Sequence, residues 1–282
     1  MRHKVRSFLT RYIPNQFKNL LYKIFRFMRD TFRLTLDAFI VFFFRRRLYK
    51  SYAMITRCHF LICKDVRYVS ISKYAVLSYL RFNPDSTVIV HCDSLTYPLV
   101  KKLYRFLPND LLEVVEDIPN DKYPYISKGL LLLTLQGTKD VFLDVDTRIN
   151  GKLPASIKPT TLVAEFQFSE SVKFSKILKA MKCTDFEAKY LLNVTFVSWG
   201  GRDLGIRYNN FLDWSDAYMN LPWDSLLAKE AIPYFKRFVE QTFFSLVFQE
   251  ESWDVLKKSD FVGDKGIVES SYFGASGYRF GR

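Results

Sequence analysis

Two carboxylates lie two residues apart directly after a short apolar run in the middle of the chain. The run is Val141-Phe142-Leu143, and Asp144 and Asp146 follow it. Residues i and i+2 of an extended segment point to the same side, so both carboxylates can reach one ion. Hard divalent cations such as Mn²⁺ and Mg²⁺ prefer oxygen ligands, and Mg²⁺ is usually held by one or two carboxylates together with substrate phosphates. The pair predicts a Mn²⁺ or Mg²⁺ site, and an acidic turn that caps a strand is the alternative.

The segments that precede this pair alternate between strand and helix patterns. Short apolar runs predict strands over residues 58–63, 87–91, 112–115 and 140–143, and helical spacing predicts helices over 70–82, 98–106 and 124–135. This order predicts an α/β fold with a mostly parallel sheet and helices on both faces. Ligands of such sheets bind beyond the carboxyl ends of the strands. Lys64 and Asp93 also follow predicted strands, so we expect them beside the acidic pair as donor-binding residues.

Several signatures of other enzyme classes are missing from the sequence. It contains neither G-x-G-x-x-G nor G-x-x-x-x-G-K-[ST], which disfavours a Rossmann dehydrogenase and a P-loop NTPase. It contains no G-x-S-x-G and only three histidines, which disfavours a serine hydrolase. The four cysteines form no C-x-x-C pair, which is typical of a protein in a reducing compartment.

The acidic segment and the residues after it, from Val141 to Pro154, resemble the "YLDaDviv…gdl" segment of the GT-A glycosyltransferases. The resemblance is greatest to the family-8-like branch, which uses UDP-sugars, and it extends over roughly residues 57–282. It implies the GT-A (Rossmann-like) fold, a nucleotide-sugar donor, a divalent metal on Asp144 and Asp146, and retention of the anomeric configuration.

The same resemblance assigns roles to residues outside the acidic pair. Lys128 matches a basic residue on the preceding helix that touches the donor, although a lysine that extends from an apolar helix to solvent is the alternative. Asn193 matches the asparagine of an "fNaGv" strand that lines the donor and acceptor sugars, and a residue that only satisfies backbone groups is the alternative. Glu240 and Gln241 match a "DQd" segment that faces the reacting sugar, and a solvated helix residue is the alternative for Glu240.

The end of the chain departs from the family's pattern. The family's "HxxGxxKPW" segment supplies a histidine to the metal and a lysine to the diphosphate. Here Gly274 and Arg279 match only part of it, and no histidine is present. The resemblance therefore leaves Arg279 as the candidate diphosphate ligand and leaves the third metal ligand unassigned.

The first fifty residues have a different composition from the rest, and we predict two parts: a basic helical extension over 1–50 and a catalytic domain over 51–282. The chain carries a net charge of +13, and most of the excess lies in the extension. Phe17, Leu20, Ile24 and Met28 recur at helical spacing among cations, and a second apolar run covers 32–44. Neither run has the roughly 20 apolar residues that span a bilayer. This pattern predicts a cytoplasmic protein attached peripherally to an anionic membrane through residues 1–50. A helix packed on the catalytic domain or on a second subunit is the alternative, and no nucleic-acid-binding module is visible.

Together these features predict a divalent-metal-dependent glycosyltransferase that moves a sugar from a nucleotide-sugar donor to a glycan or lipid-linked acceptor. A nucleotidyltransferase of sugar-phosphate metabolism is one alternative, but that class would have a glycine-rich, basic sequence near its first strand. Residues 58–68 contain no glycine. A non-catalytic scaffold that has kept the GT-A fold is the other alternative.

Overall fold

The computed structural model describes residues 15–43, 57–151, 160–165, 168–183, 190–247, 254–257 and 268–269. Its helices are α1 (Asn15–Phe43), α2 (Arg67–Phe82), α3 (Tyr97–Tyr104), α4 (Pro124–Thr134), α5 (Phe168–Ala180), α6 (Tyr208–Met219), α7 (Trp223–Leu226), α8 (Ile232–Lys236) and α9 (Val239–Val247). Its strands are β1 (Arg57–Ile62), β2 (Thr87–Cys92), β3 (Leu112–Glu116), β4 (Val141–Leu143), β5 (Arg148–Ile149), β6 (Thr160–Glu165), β7 (Tyr190–Ser198), β8 (Asp254–Lys257) and β9 (Val268–Glu269).

Seven of these strands form one sheet, in the order β3-β2-β1-β4-β7-β6-β8. Strand β1 pairs in parallel with β2 and β4, β2 pairs in parallel with β3, and β6 with β8. Strand β7 is antiparallel to both β4 and β6, so it alone runs against the other described strands of this sheet. Strands β5 and β9 form a separate antiparallel pair. The predicted mostly parallel α/β sheet is confirmed.

Alternation along the strands divides the core between the two faces of the sheet. In β4, Val141 and Leu143 join one buried cluster with residues of β1, β2, α2 and α3. Phe142, which lies between them, joins a second cluster with residues of α4, α6 and α9. Successive strand residues point to opposite faces, so helices cover both faces, as the sequence predicts.

Helix α1 packs on the first of these faces. Val41 belongs to its core cluster, and the completely buried Asp37 forms ion pairs with Arg81 of α2 (2.7 Å) and Arg148 of β5 (2.6 Å). The two apolar runs of the N-terminal sequence form one continuous helix rather than two segments. Asp30 and Asp37 interrupt the apolar pattern, but both are buried and paired with arginines. The helix therefore continues through them. None of the described helices is both long and apolar enough to cross a membrane.

Candidate active site

The two acids of the central motif lie in a tight turn beyond the carboxyl end of β4. The backbone N–H of Asp144 donates to the carbonyl of Thr195 in β7 (2.9 Å), and its own carbonyl accepts the hydroxyl of Thr147 (2.6 Å). Both acidic side chains are partly exposed. The acids therefore lie where an α/β sheet binds its ligands.

Lys128 reaches this turn from helix α4. A helix that follows a parallel strand begins near the carboxyl edge of the sheet, and α4 follows β3, so its first turns lie near β4's acids. The Nζ atom of Lys128 lies 2.7 Å from Oδ1 of Asp144 and 5.3 Å from the centre of the Phe142 ring. Lys128 is buried. It therefore forms an ion pair inside the protein, and the alternative of a lysine that extends to solvent is wrong.

Glu240 approaches the same ammonium group from the first turn of α9. Its side chain is completely buried, and Oε1 lies 3.8 Å from Nζ of Lys128. Neither of its carboxylate oxygens has a hydrogen-bond partner among the described residues. The alternative of a solvated helix residue is therefore wrong. A buried oxygen that lacks a hydrogen bond costs about 1–3 kcal/mol, and a ligand that donates a hydrogen bond to Glu240 would remove this cost.

Close helix packing behind the site holds α4 and α9 in place. A Cβ atom at Gly129 would lie 2.1 Å from the ring of Phe211 in α6, so only glycine lets the two helices approach this closely. Phe211 packs in turn on Phe243 and Phe244 of α9, with ring centres 5.0 and 6.1 Å away. Phe211 of α6 thus contacts both Gly129 of α4, beside Lys128, and the two phenylalanines of α9 that lie one turn after Glu240.

Burial and mutual repulsion shift the pKa values of the site. Burial raises the pKa of Glu240 to about 8, against the opposing charge of Lys128. Burial, followed by the charge of Asp144, raises the pKa of Asp146 to about 7. Burial alone would lower the pKa of Lys128, but the charges of Asp144 and Glu240 outweigh it, and its pKa lies above the ordinary value. The site holds more acid than its one ammonium group can balance.

The acidic pair fits a divalent cation. Besides burial, the charge of Asp144 contributes to the raised pKa of Asp146, so a cation held between the two would relieve their repulsion. Their carboxylate oxygens are the ligands that a hard cation prefers. The described residues contain no group of three His, Cys, Asp or Glu side chains placed to hold a metal. Asp144 and Asp146 would therefore supply part of a coordination shell, and other oxygen ligands would have to complete it.

Lys64 and Asp93 form a separate hydrogen-bonded group at the ends of β1 and β2. One oxygen of the buried Asp93 carboxylate accepts the backbone N–H and the hydroxyl of Thr96 (2.9 and 2.8 Å), and the other accepts the backbone N–H of Lys64 (2.7 Å). Lys64 is exposed and has a positive φ of 65°. Asp93 therefore shapes the loops at this edge, and contact of either residue with a donor stays a prediction.

The remaining predicted residues are placed as follows. Gln241 is half-buried beside Glu240 on α9. Asn193 lies in β7, opposite Leu162 of β6 in the sheet register. Arg279 and Gly274 lie outside the described residues. Their roles stay predictions.

Three residues near the site do not emerge from the sequence patterns. The pKa of Tyr68 is raised by burial and then by the charge of Asp146, which places its phenol close to the acidic pair. Ser127 is buried beside Lys128, and its hydroxyl has no hydrogen-bond partner among the described residues. Arg148, two residues after Asp146, is fixed by Asp37 of α1. None of the three carries a local signal in the sequence, because their burial and partners depend on distant segments.

Comparisons with known proteins identify no family. No family model and no curated protein sequence matches the chain. Similar solved structures include the glycosyltransferase GlyE of Streptococcus pneumoniae TIGR4, which is 9% identical with a TM-score of 0.44 over 72% of this chain and 45% of that one. The PaToxG glycosyltransferase is 10% identical, with a TM-score of 0.36 over 79% of this chain and 86% of that one. The galactosyltransferase LgtC, in complex with donor and acceptor sugar analogues, is 9% identical with a TM-score of 0.36 over 61% of this chain and 66% of that one. This chain thus spans less than half of GlyE, and similarity at these values assigns it no activity.

Proposed function

We propose that the protein is a divalent-metal-dependent glycosyltransferase that uses a nucleotide-sugar donor, most simply a UDP-sugar. One observation carries the proposal: a single buried lysine lies between Asp144 and Glu240 beyond the carboxyl end of a parallel strand. Such a cluster offers one cation and surplus carboxylates to the same ligand. A nucleoside diphosphate joined to a sugar matches it, because the phosphates need cations and the sugar hydroxyls need hydrogen-bond partners.

In this proposal the site favours departure of the diphosphate. The bond between C1 of the sugar and the phosphate oxygen breaks, the acceptor's hydroxyl oxygen bonds to C1, and the hydroxyl proton passes to the departing phosphate oxygen. Negative charge develops on the diphosphate, and the Lys128 ammonium group is already oriented to stabilise it. Mn²⁺ or Mg²⁺, held by Asp144 and Asp146, would supply further positive charge when bound.

Glu240 is proposed to anchor a hydroxyl group near the reacting carbon, which becomes oxocarbenium-like. With a pKa of about 8, its carboxyl group is largely protonated at neutral pH before a ligand binds. It can then donate one hydrogen bond and accept others, which suits a sugar hydroxyl. Gln241 and Asn193 are proposed to contact the same sugar, and retention of the anomeric configuration is the outcome that the GT-A resemblance implies.

The acceptor is proposed to be a glycan or a lipid-linked saccharide. Lys64, Asp93 and Arg279 are proposed to contact the donor, Arg279 at its diphosphate.

A donor panel tests the proposal. The full chain is incubated with UDP-, GDP- and CMP-sugars in the presence of Mn²⁺, and nucleotide release is measured beside Lys128→Met as an inactive control. We expect release from one donor class, dependent on the metal and on Lys128. Release from none of them would contradict the proposal. Pyrophosphate production from a nucleoside triphosphate and a sugar 1-phosphate would instead favour the nucleotidyltransferase.

A further inference from the structure

Helix α1 has its polar and apolar sides in the reverse of the usual arrangement. Its inner side carries Asp30, Leu34, Asp37 and Val41, and both acids are buried with arginine partners. Its outer side carries six large apolar residues, which we call the outer stripe: Ile24, Phe25, Met28, Phe32, Phe39 and Phe43. Each is between 45% and 69% exposed. A helix of a globular protein normally turns such a stripe toward the core.

The described part of the chain leaves the outer stripe uncovered along most of α1. Helix α1 has 29 residues, so at 1.5 Å per residue it is about 43 Å long. Contiguous exposed apolar surface of this extent marks an interaction site on a folded protein. The outer stripe is therefore expected to contact a partner that offers an apolar surface.

The charge around the stripe selects the occupant. Residues 1–50 contain thirteen Lys and Arg and two acids, Asp30 and Asp37, which account for +11 of the net charge of +13. Both acids are buried and paired with arginines, so neither presents a free carboxylate to an anionic surface. Arg45, Arg46 and Arg47 follow α1 directly in the sequence, and Arg2, Lys4, Arg6 and Arg11 precede it.

We propose that the outer stripe of α1 is a membrane-docking surface that lies in the plane of an anionic bilayer. Apolar side chains of such a helix enter the boundary between headgroups and acyl chains, while nearby Lys and Arg contact anionic headgroups. A second copy of the chain fits less well, because it would bring another +11 segment against the first. This proposal does not depend on sugar transfer and holds whatever reaction the site performs.

The test uses point substitutions in the full chain rather than removal of α1. Asp37 pairs with Arg81 and with the buried Arg148, so deletion of the helix would remove this acid from the fold and would confound the result. Phe25→Ser/Phe32→Ser alters only exposed outer-stripe residues. Tyr208→Ser is the matched control, because Tyr208 is also an exposed aromatic residue but begins α6 on the opposite face of the sheet.

Flotation with phosphatidylglycerol-containing vesicles and with pure phosphatidylcholine vesicles measures binding, at low and high salt. We expect the wild type and Tyr208→Ser to float with anionic vesicles, and to float less with neutral vesicles or at high salt. Phe25→Ser/Phe32→Ser should bind the vesicles at least about tenfold more weakly, because two large side chains no longer enter the bilayer. All three proteins should melt at the same temperature.

Two results would overturn the proposal: flotation of the double variant to the wild-type level, or no flotation of the wild type. In the second case, light scattering without vesicles identifies the occupant. A wild-type dimer that the two substitutions convert to a monomer would assign the outer stripe to another copy of the chain.

Discussion

At the residue scale, Glu240 combines complete burial with the absence of hydrogen-bond partners among the described residues. Its folded-state pKa of about 8 lies above the ordinary value of 4.5. The folded protein therefore binds this proton more tightly than the unfolded chain does. The resulting contribution to stability is complete below the ordinary pKa and is lost as the pH rises through the folded-state value.

Glu240→Gln should remove this pH dependence, because a glutamine stays neutral. In chelator-containing buffer we expect the variant to melt at a higher temperature than the wild type near pH ~9, and the difference to shrink toward pH ~5. Its turnover should fall more than its donor affinity, since Glu240 is proposed to act near the reacting sugar. Thermal melts across this range check the first expectation. A difference in melting temperature between the two proteins that does not change with pH would contradict it.

Lys128 is the group on which the site's electrostatics depend. Lys128→Met removes the ammonium group between Asp144 and Glu240, and the loss of one preorganised electrostatic contact lowers turnover by about a hundredfold or more. Lys139→Met is the control, because Lys139 is exposed just before β4. Steady-state nucleotide release measures both. Equal turnover of Lys128→Met and Lys139→Met would show that Lys128 has no part in the reaction.

The sequence predicts the position of the acidic pair but not the environment around it. Local sequence alone predicts the place of Asp144 and Asp146, because an apolar strand is followed directly by two acids two residues apart. The burial of Glu240 depends on α6 and α9, which lie far along the chain from Lys128, so its local sequence looks like that of any helix with an exposed acid. Asp93 shows the opposite case: its position was predicted, but its carboxylate is used by Thr96 and the Lys64 backbone.

At the element scale, the buried Asp37 links helix α1 to α2 and β5 through its ion pairs with Arg81 and Arg148. Asp37→Asn removes the charge that pairs with the guanidinium groups of Arg81 and Arg148, and the Arg148 side chain is only 3% exposed. Removal of one partner from a buried ion pair costs about 3 kcal/mol or more of the free energy of unfolding. Urea denaturation measures this loss. Nucleotide affinity should also fall, because Arg148 lies two residues after Asp146.

An exposed ion pair in the same protein provides the control for Asp37→Asn. Asp65 pairs with Arg67, whose side chain is 65% exposed. Solvent screens such a pair, so Asp65→Asn should leave the stability nearly unchanged. Equal effects of the two substitutions would mean that α1 is not held by Asp37.

The helices and strands of the first half of the sheet follow closely from the sequence, and those of the second half do not. Between β1 and β4 each apolar run and each helical pattern is local, and the predicted bounds differ from the observed ones by at most three residues. The reversal of β7 and the insertion of β6 beside it depend on pairing between distant segments. The sequence indicates two N-terminal apolar runs, the second interrupted by Asp37, whereas the pairing of Asp37 with Arg81 and Arg148 admits this acid inside one helix.

At the scale of the whole molecule, two regions carry charge of opposite sign. The first fifty residues hold most of the net positive charge, while the carboxyl edge of the sheet holds a surplus of acid around one lysine. The acids at the carboxyl edge of the sheet would bind a metal ion, and Lys128 with that ion would bind a diphosphate. Two carboxylates bind a divalent cation loosely, and the donor's phosphates would complete its ligands. Metal and nucleotide should therefore bind cooperatively, each strengthening the other by the same factor.

Calorimetry of UDP binding, with Mn²⁺ and with chelator, on the wild type and on Asp146→Asn, tests this central claim most directly. Asn keeps the shape of the side chain and removes its charge, and Asp146 lies in a partly exposed turn rather than in the core, so the fold should persist. We predict that Mn²⁺ strengthens UDP binding by about tenfold or more in the wild type, a typical coupling between sites. In Asp146→Asn most of that gain should be lost. The same UDP affinity in all four conditions would contradict the metal site and the mechanism built on it.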